Sequence, residues 1–173
     1  MLITENYRQQ NAQLHAERPD YGRLGASKWA DTVRKLADKY RATTILDYGC
    51  GKGLLRGALM IYGLDVRNYD PAIEEWAATP EPAELVVCND VLEHIEPDCL
   101  EAVLDDLRRV TMKAGLFVIA TGPAKKTLPD GRNAHLIQEP ARWWLPMICE
   151  RWEPVLVQRD ETAQAVMVWV EAA

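Results

Sequence analysis

The chain has 173 residues, 48% apolar and 27% charged, with a net charge of −6, which fits one globular domain able to bury a core without disulfides or metal. No apolar run reaches the roughly 18 residues that a membrane span needs, and the polar opening MLITENYRQQNAQLHAERPD lacks the apolar core of a secretory signal, so the expected location is the cytoplasm. Residues 1–56 carry ten Lys/Arg against six Asp/Glu and residues 57–173 ten against twenty, a balance that does not indicate nucleic acid as partner, because phosphate contacts dominate that affinity.

In chain order, residues 1–20 read as a loosely ordered segment, with His15 solvated. Residues 27–40, SKWADTVRKLADKY, place Trp29, Val33, Leu36, Ala37 and Tyr40 on one stripe of an amphipathic helix, with Ser27 as its cap. The β-branched run from Thr43 to Leu46 predicts a buried parallel strand that ends at Asp47 and runs into three glycines. Residues 54–62 read as a helix and residues 65–70, DVRNYD, as a second strand stopped by Pro71. Residues 71–84 are too short for a helix plus a strand. Residues 85–88 give a third strong strand. Pro97 opens a helix to about Met112 with Leu100, Val103, Leu104, Leu107 and Val110 on one stripe, and Gly115 is expected to end it before a strand over residues 116–121. A Gly-, Pro- and Lys-rich loop over residues 122–135 leads to a helix beginning at Pro140 and interrupted or kinked near Pro146. The segments WEPVLVQ and AVMVWV, joined by RDETAQ, form an antiparallel hairpin. Strands alternating with helices imply a mostly parallel sheet with right-handed crossovers.

In the segment Asp47-Tyr48-Gly49-Cys50-Gly51-Lys52-Gly53 an acid is followed by glycines at every second position. Such a loop lets a ligand approach the backbone at the carboxyl end of a strand, where a Cβ would block it and where open parallel sheets bind ligands. The spacing is not the dinucleotide G-x-G-x-x-G, and an acid beside a phosphate loop would repel the phosphate. Asp47 suits a cationic ligand. The four cysteines, Cys50, Cys88, Cys99 and Cys149, form no C-x-x-C pair, so no metal site is expected and free thiols are the default.

These residues carry a resemblance. ILDYGCGKG resembles the first motif of class I S-adenosylmethionine-dependent methyltransferases, DVRNYDPA is similar to their second, AELVVCNDVLEHIEP to their fourth, and GLFVIATGP to their fifth strand and its loop. The likeness covers roughly residues 21–170 and is to the small single-domain type. It implies an α/β fold: a mostly parallel Rossmann-like sheet with helices on both faces, a C-terminal antiparallel hairpin, and a shortened region between the second and fourth strands. It implies methyl transfer from S-adenosylmethionine, with Asp47, Tyr48, Gly49, Gly51, Tyr69, Asp70, Pro71, Cys88 and Asn89 toward the cofactor. Asp70 would take the ribose hydroxyls, for which a carboxylate is a good bidentate acceptor. Family members fit a helix, a strand and an adenine loop where only residues 71–84 stand here, so Pro71, Ala72 and Ile73 are left to pack on the ring. The second strand then becomes a sheet edge, to be covered by the N-terminal segment or by a second subunit.

Methyl transfer needs positioning and desolvation of the acceptor, and a base only where the acceptor must lose a proton. The candidates are His135, His94 and Asp90, beside Asn89 and Glu93. Residues 21–28, 89–94 and 122–135 are expected to form the acceptor pocket, with Lys125, Lys126 and Arg132 facing either an anionic acceptor or solvent. Trp143 and Trp144 read as core. No [DN]-P-P-[YF] or Pro-Cys motif follows the third strand, which leaves a small molecule, the expected acceptor, or an exposed group on a macromolecule. A cofactor-binding protein without turnover, or a nicotinamide-dependent oxidoreductase, are the other readings.

Overall fold

Strands β1 (Thr44–Tyr48), β2 (Asp65–Tyr69), β3 (Ala83–Asn89) and β4 (Thr111–Ala120) lie parallel in the computed structural model, and β5 (Trp152–Asp160) and β6 (Ala165–Ala172) add an antiparallel hairpin. The structure describes residues 1–22 and 26–173, without the side chains of residues 26 and 27. Ser27 as a helix cap therefore lies outside the described residues. The strand order is β2-β1-β3-β4-β6-β5. Helices α1 (Glu5–Glu17), α2 (Ala26–Tyr40), α3 (Leu54–Leu59), α4 (Leu100–Val110) and α5 (Ala141–Cys149) flank it.

Period-two alternation sorts the strand residues between two cores. Ile45, Leu85, Val87, Leu116 and Val118 pack with Val33, Leu36, Leu55 and Leu59 of α2 and α3. Leu46, Val86, Cys88, Phe117 and Ile119 pack with Leu104 and Leu107 of α4 and with Trp144 and Ile148 of α5. The central strands β3 and β4 thus bury both faces and carry near-continuous apolar runs, whereas β2 (DVRNY) alternates buried with exposed residues. A single 3-10 turn, Glu74–Trp76, stands between β2 and β3 among the described residues. β2 is accordingly the edge of the sheet.

Three expectations change. The helix opened at Pro97 ends at Val110, and β4 begins at Thr111, well before Gly115. Thr111 closes the helix by donating its hydroxyl to the Leu107 carbonyl at 2.6 Å. A register shift between Ala83 and Leu85 absorbs the early start. Gly115 sits inside the strand, where a Cβ would come within 2.9 Å of the Phe117 ring. Second, α5 is continuous through Pro146 and not interrupted there. Its missing N–H is outweighed by the burial of Trp144 and Ile148, both fully enclosed.

Third, residues 5–17 are helical. Thr4 accepts the Tyr7 N–H at 3.3 Å and donates its own N–H and hydroxyl to Glu96, both at 2.8 Å. Tyr7, Gln10, Asn11 and Leu14 form the buried stripe, and Tyr7 and Leu14 pack with Tyr21, Leu128 and Ala134. The helix is too polar to stand alone and is held by these tertiary contacts. Thr4→Ala is expected to cost about 1 kcal/mol, the usual loss of an N-cap, read as a lowered denaturant midpoint; an unchanged midpoint would show that the cap is dispensable.

Candidate active site

The loop after β1 turns on glycines in the left-handed region, with φ of 75° at Gly49 and 52° at Gly51. A Cβ on Gly49 would strike the Val91 side chain, and one on Gly51 would lie 2.5 Å from the Gly22 carbonyl oxygen. The N–H groups of Gly49 and Cys50 donate to the Tyr69 carbonyl at 2.8 and 3.0 Å, which ties the loop to the end of β2. Asp70 follows at that end. Its Oδ2 accepts from Gly51 N at 3.1 Å and its Oδ1 from Ala72 N at 3.0 Å, leaving each oxygen a further lone pair.

Asp47 is 3% exposed, and its Oδ2 has no hydrogen-bond partner among the described residues; neither has the amide nitrogen or oxygen of Asn89. Burial, with Asp70 nearby, pushes the Asp47 carboxyl up to about 7. Burial also raises Asp70, against the pull of its two backbone donors. Buried polar groups are almost always partnered. A carboxylate and an amide left open beside a cradle that side chains would fill are what a nucleoside bearing an ammonium group requires. The residues present fit S-adenosylmethionine on that ground.

His15 Nε2 lies 3.8 Å from Asp70 Oδ2. Burial and the Lys52 charge push the imidazole down to about 4, so the contact is between a neutral ring and the carboxyl, not an ion pair. Lys52 in turn donates to the His15 carbonyl at 2.5 Å. The end of α1 therefore roofs the glycine loop.

A second cluster stands where the turns after β3 and β4 meet. Asp90 has a φ of 54°, and its N–H donates to the Val118 carbonyl at 2.9 Å. Burial raises its carboxyl. Glu93 is fully buried; Oε1 accepts from Ala120 N at 3.1 Å, while Oε2 has no partner among the described residues. Burial and the Asp90 charge push Glu93 up to about 8. His94 Nδ1 is 2.7 Å from the Ala134 carbonyl and His135 Nδ1 is 2.6 Å from the Gly122 carbonyl, and the two rings meet edge to face at 4.8 Å. Burial, with His135 beside it, pushes His94 down to about 4.

A cleft of about 570 Å³ joins the first cluster to Asp90, His94 and His135 of the second, while the fully buried Glu93 is not among its lining residues. It is lined by Asp47, Tyr48, Gly49, Gly51, Tyr69, Asp70, Pro71 and Asn89 on one side and by Asp90, His94 and His135 on the other. Ala72 also lines it, while Ile73 is not among the lining residues. Cys88 is not among the lining residues. It is fully buried in the α4-side core, because alternation along β3 turns it away from the cleft. His15 is a correction, since it faces the cleft rather than solvent. Trp144 is core, whereas its neighbour Trp143 is 39% exposed.

Of the segment 21–28, Tyr21 and Gly22 reach the cleft, and residues 23–25 lie outside the described residues. Lys126 pairs with Asp20 and Arg132 with Asp130, both at 2.7 Å. Two of the three loop cations are thus paired within the chain, while Lys125 lines the cleft. The sequence reading missed Tyr7 and Asn11, which also line the cleft. The signal was present in the spacing of Tyr7, Gln10, Asn11 and Leu14, but polar residues on that stripe hid it.

A family model described as "Methyltransferase domain" matches residues 21–164. The comparison with curated proteins gives no match. Among solved structures, the 1,6-didemethyltoxoflavin-N1-methyltransferase of Burkholderia thailandensis, with 1,6-didemethyltoxoflavin and S-adenosylhomocysteine bound, superposes with a TM-score of 0.69 at 17% identity, covering 96% of this chain and 87% of that one. The N-methyltransferase NodS of Bradyrhizobium japonicum, in complex with S-adenosylhomocysteine, gives 0.59 at 14% identity over 97% and 99%. An S-adenosylmethionine-dependent methyltransferase of Clostridium acetobutylicum gives 0.63 at 11% over 86% and 92%. At these identities the likeness is one of fold.

Proposed function

The chain belongs to the methyltransferase domain family, it is an S-adenosylmethionine-dependent enzyme of class I, and we propose that this cleft transfers the methyl group to a small-molecule acceptor. The observation that carries the reading is the open carboxylate of Asp47 beside the glycine cradle and Asp70. In this reading Asp47 faces the ammonium of the cofactor. Gly49 and Gly51 let it approach the backbone, and Asp70 uses its remaining lone pairs for the ribose hydroxyls. Pro71 and Ala72 offer apolar contact in place of the missing adenine loop. When bound, S-adenosylmethionine supplies an already activated methyl.

The chain's own task at the other end is to hold the acceptor in line and dry. Asp90, His94 and His135 surround that position. With Nδ1 held by a backbone carbonyl, each imidazole keeps its Nε2 lone pair free. A small acceptor is supported by the roof that α1 makes and by the cleft size, within the roughly 300–1,000 Å³ of small-molecule sites. It is supported also by the Burkholderia enzyme, which holds a small heterocycle. We treat the whole chain as one such unit.

Labelled S-adenosylmethionine incubated with the protein and fractionated metabolites tests the reading. Label in low-mass products supports it; label only in protein or nucleic acid overturns the small-molecule acceptor. His135→Ala is expected to lower turnover while leaving S-adenosylhomocysteine affinity, measured by calorimetry, unchanged. Full activity removes His135 from the mechanism, and a loss of cofactor affinity would place it on the wrong side of the cleft.

A further inference from the structure

Glu93, His94 and His135 each place one donor atom so that all three lie within 4.8 Å of one another. We infer that these residues form a site for one divalent transition-metal ion, of the zinc or cobalt kind, at the acceptor end of the cleft. Two imidazoles and one carboxylate suit such borderline ions better than magnesium or calcium, which prefer all-oxygen sets.

Three observations agree. Glu93 is fully buried, and its Oε2 has no partner among the described residues, a costly arrangement for a carboxyl that a bound cation relieves. Both histidines are fixed at Nδ1 by backbone carbonyls, those of Ala134 and Gly122. This is the second shell that metal-binding histidines use, because it sets the tautomer and leaves the Nε2 lone pair for the metal. The spacing also suffices. Donors at about 2.1 Å from a tetrahedral ion are about 3.4 Å apart, so closing the site takes shifts of up to about 1 Å per donor. Asp90 lines the same cleft and adds negative charge beside the three.

Three protein ligands would leave a coordination position open, as in catalytic rather than structural sites, and on the side of His94 and His135, which line the cleft, that position faces it. That position takes an oxygen donor, so the acceptor class is a molecule with a hydroxyl or carboxylate that can ligate the ion. The role rests on the reading of this end as the acceptor end. The binding of the ion does not, and it is measured here without cofactor or acceptor.

The test uses the full chain, stripped with a chelator and titrated with Co²⁺. One ion per chain is expected by equilibrium dialysis, with visible d–d absorption that Zn²⁺ displaces. Glu93→Gln keeps an acceptor for Ala120 N but loses the anionic donor, and His135→Gln removes a ligand from a loop. Each is expected to weaken Co²⁺ binding by about tenfold or more, with S-adenosylhomocysteine affinity unchanged. No bound Co²⁺ or Zn²⁺ in the wild-type protein overturns the inference, and so does undiminished affinity in the variants. If Glu93→Gln fails to fold, His135→Gln decides alone. Failure here leaves methyl transfer standing, and a failure to bind S-adenosylhomocysteine leaves the metal measurement intact.

Discussion

Asp70→Ala is expected to weaken S-adenosylhomocysteine binding by about 1–3 kcal/mol, the range for lost hydrogen bonds to a charged group, or roughly 5- to 150-fold in Kd. The residue is 8% exposed at the carboxyl end of β2, and its side chain does two things at once. It holds the glycine loop through Gly51 N and the following turn through Ala72 N, and it keeps a lone pair on each oxygen for the ribose. Asp70→Asn separates the two, because the amide retains one acceptor oxygen for the loop while losing charge and half of the fork. A smaller loss for Asn than for Ala is therefore expected. Calorimetry giving wild-type affinity for Asp70→Ala would remove Asp70 from the cofactor site.

The second large effect is on pH. Asp47 is buried beside Asp70, and its carboxyl is pushed up to about 7. The cofactor's ammonium favours the ionised form, so below that pH each binding event must displace a proton. Affinity is expected to level off above about pH 7 and to fall below it, approaching tenfold per pH unit as one proton is released per complex. The neighbouring groups are Asp70, also raised, and His15, which is held down to about 4 and stays neutral through most of the window. Asp47→Asn is expected to bind more weakly at pH 8 and to flatten the profile between pH 5 and 8. A wild-type profile already flat in that range would show that Asp47 does not meet the charge. An unchanged slope in the variant would assign the proton to Asp70.

Much of this site is legible along the chain because its parts are local. The acid and the alternating glycines from Asp47 to Gly53 specify a turn that no Cβ can fill, and the structure gives Gly49, Gly51 and Gly53 positive φ. Asp70 follows a run ending in Tyr69, and a strand that stops there delivers it to the same edge. The shortness of residues 71–84 fixes β2 as the edge by simple reach. Cys88 and Asn89, adjacent in sequence, show where such reading stops. Which of two neighbours faces a cleft depends on the pleat and on what α4 brings to the other face.

The amino-acid sequence by itself determined the alternation of strands and helices, the closing hairpin, the missing edge strand and the glycine-acid loop, because each follows from periodicity, turn chemistry or chain length within about 30 residues. Tertiary structure alone decided the rest. α1 is a helix because Thr4 and Tyr7 find Glu96 and the His94 carbonyl nearly 90 residues away. His15 leaves solvent because that helix lies across the loop after β1. Glu93, His94 and His135 become one cluster because parallel pairing of β3 with β4 stacks the turns that follow them. Burial, orphaned polar atoms and shifted carboxyls belong to the environment a fold assembles, and no local pattern encodes them.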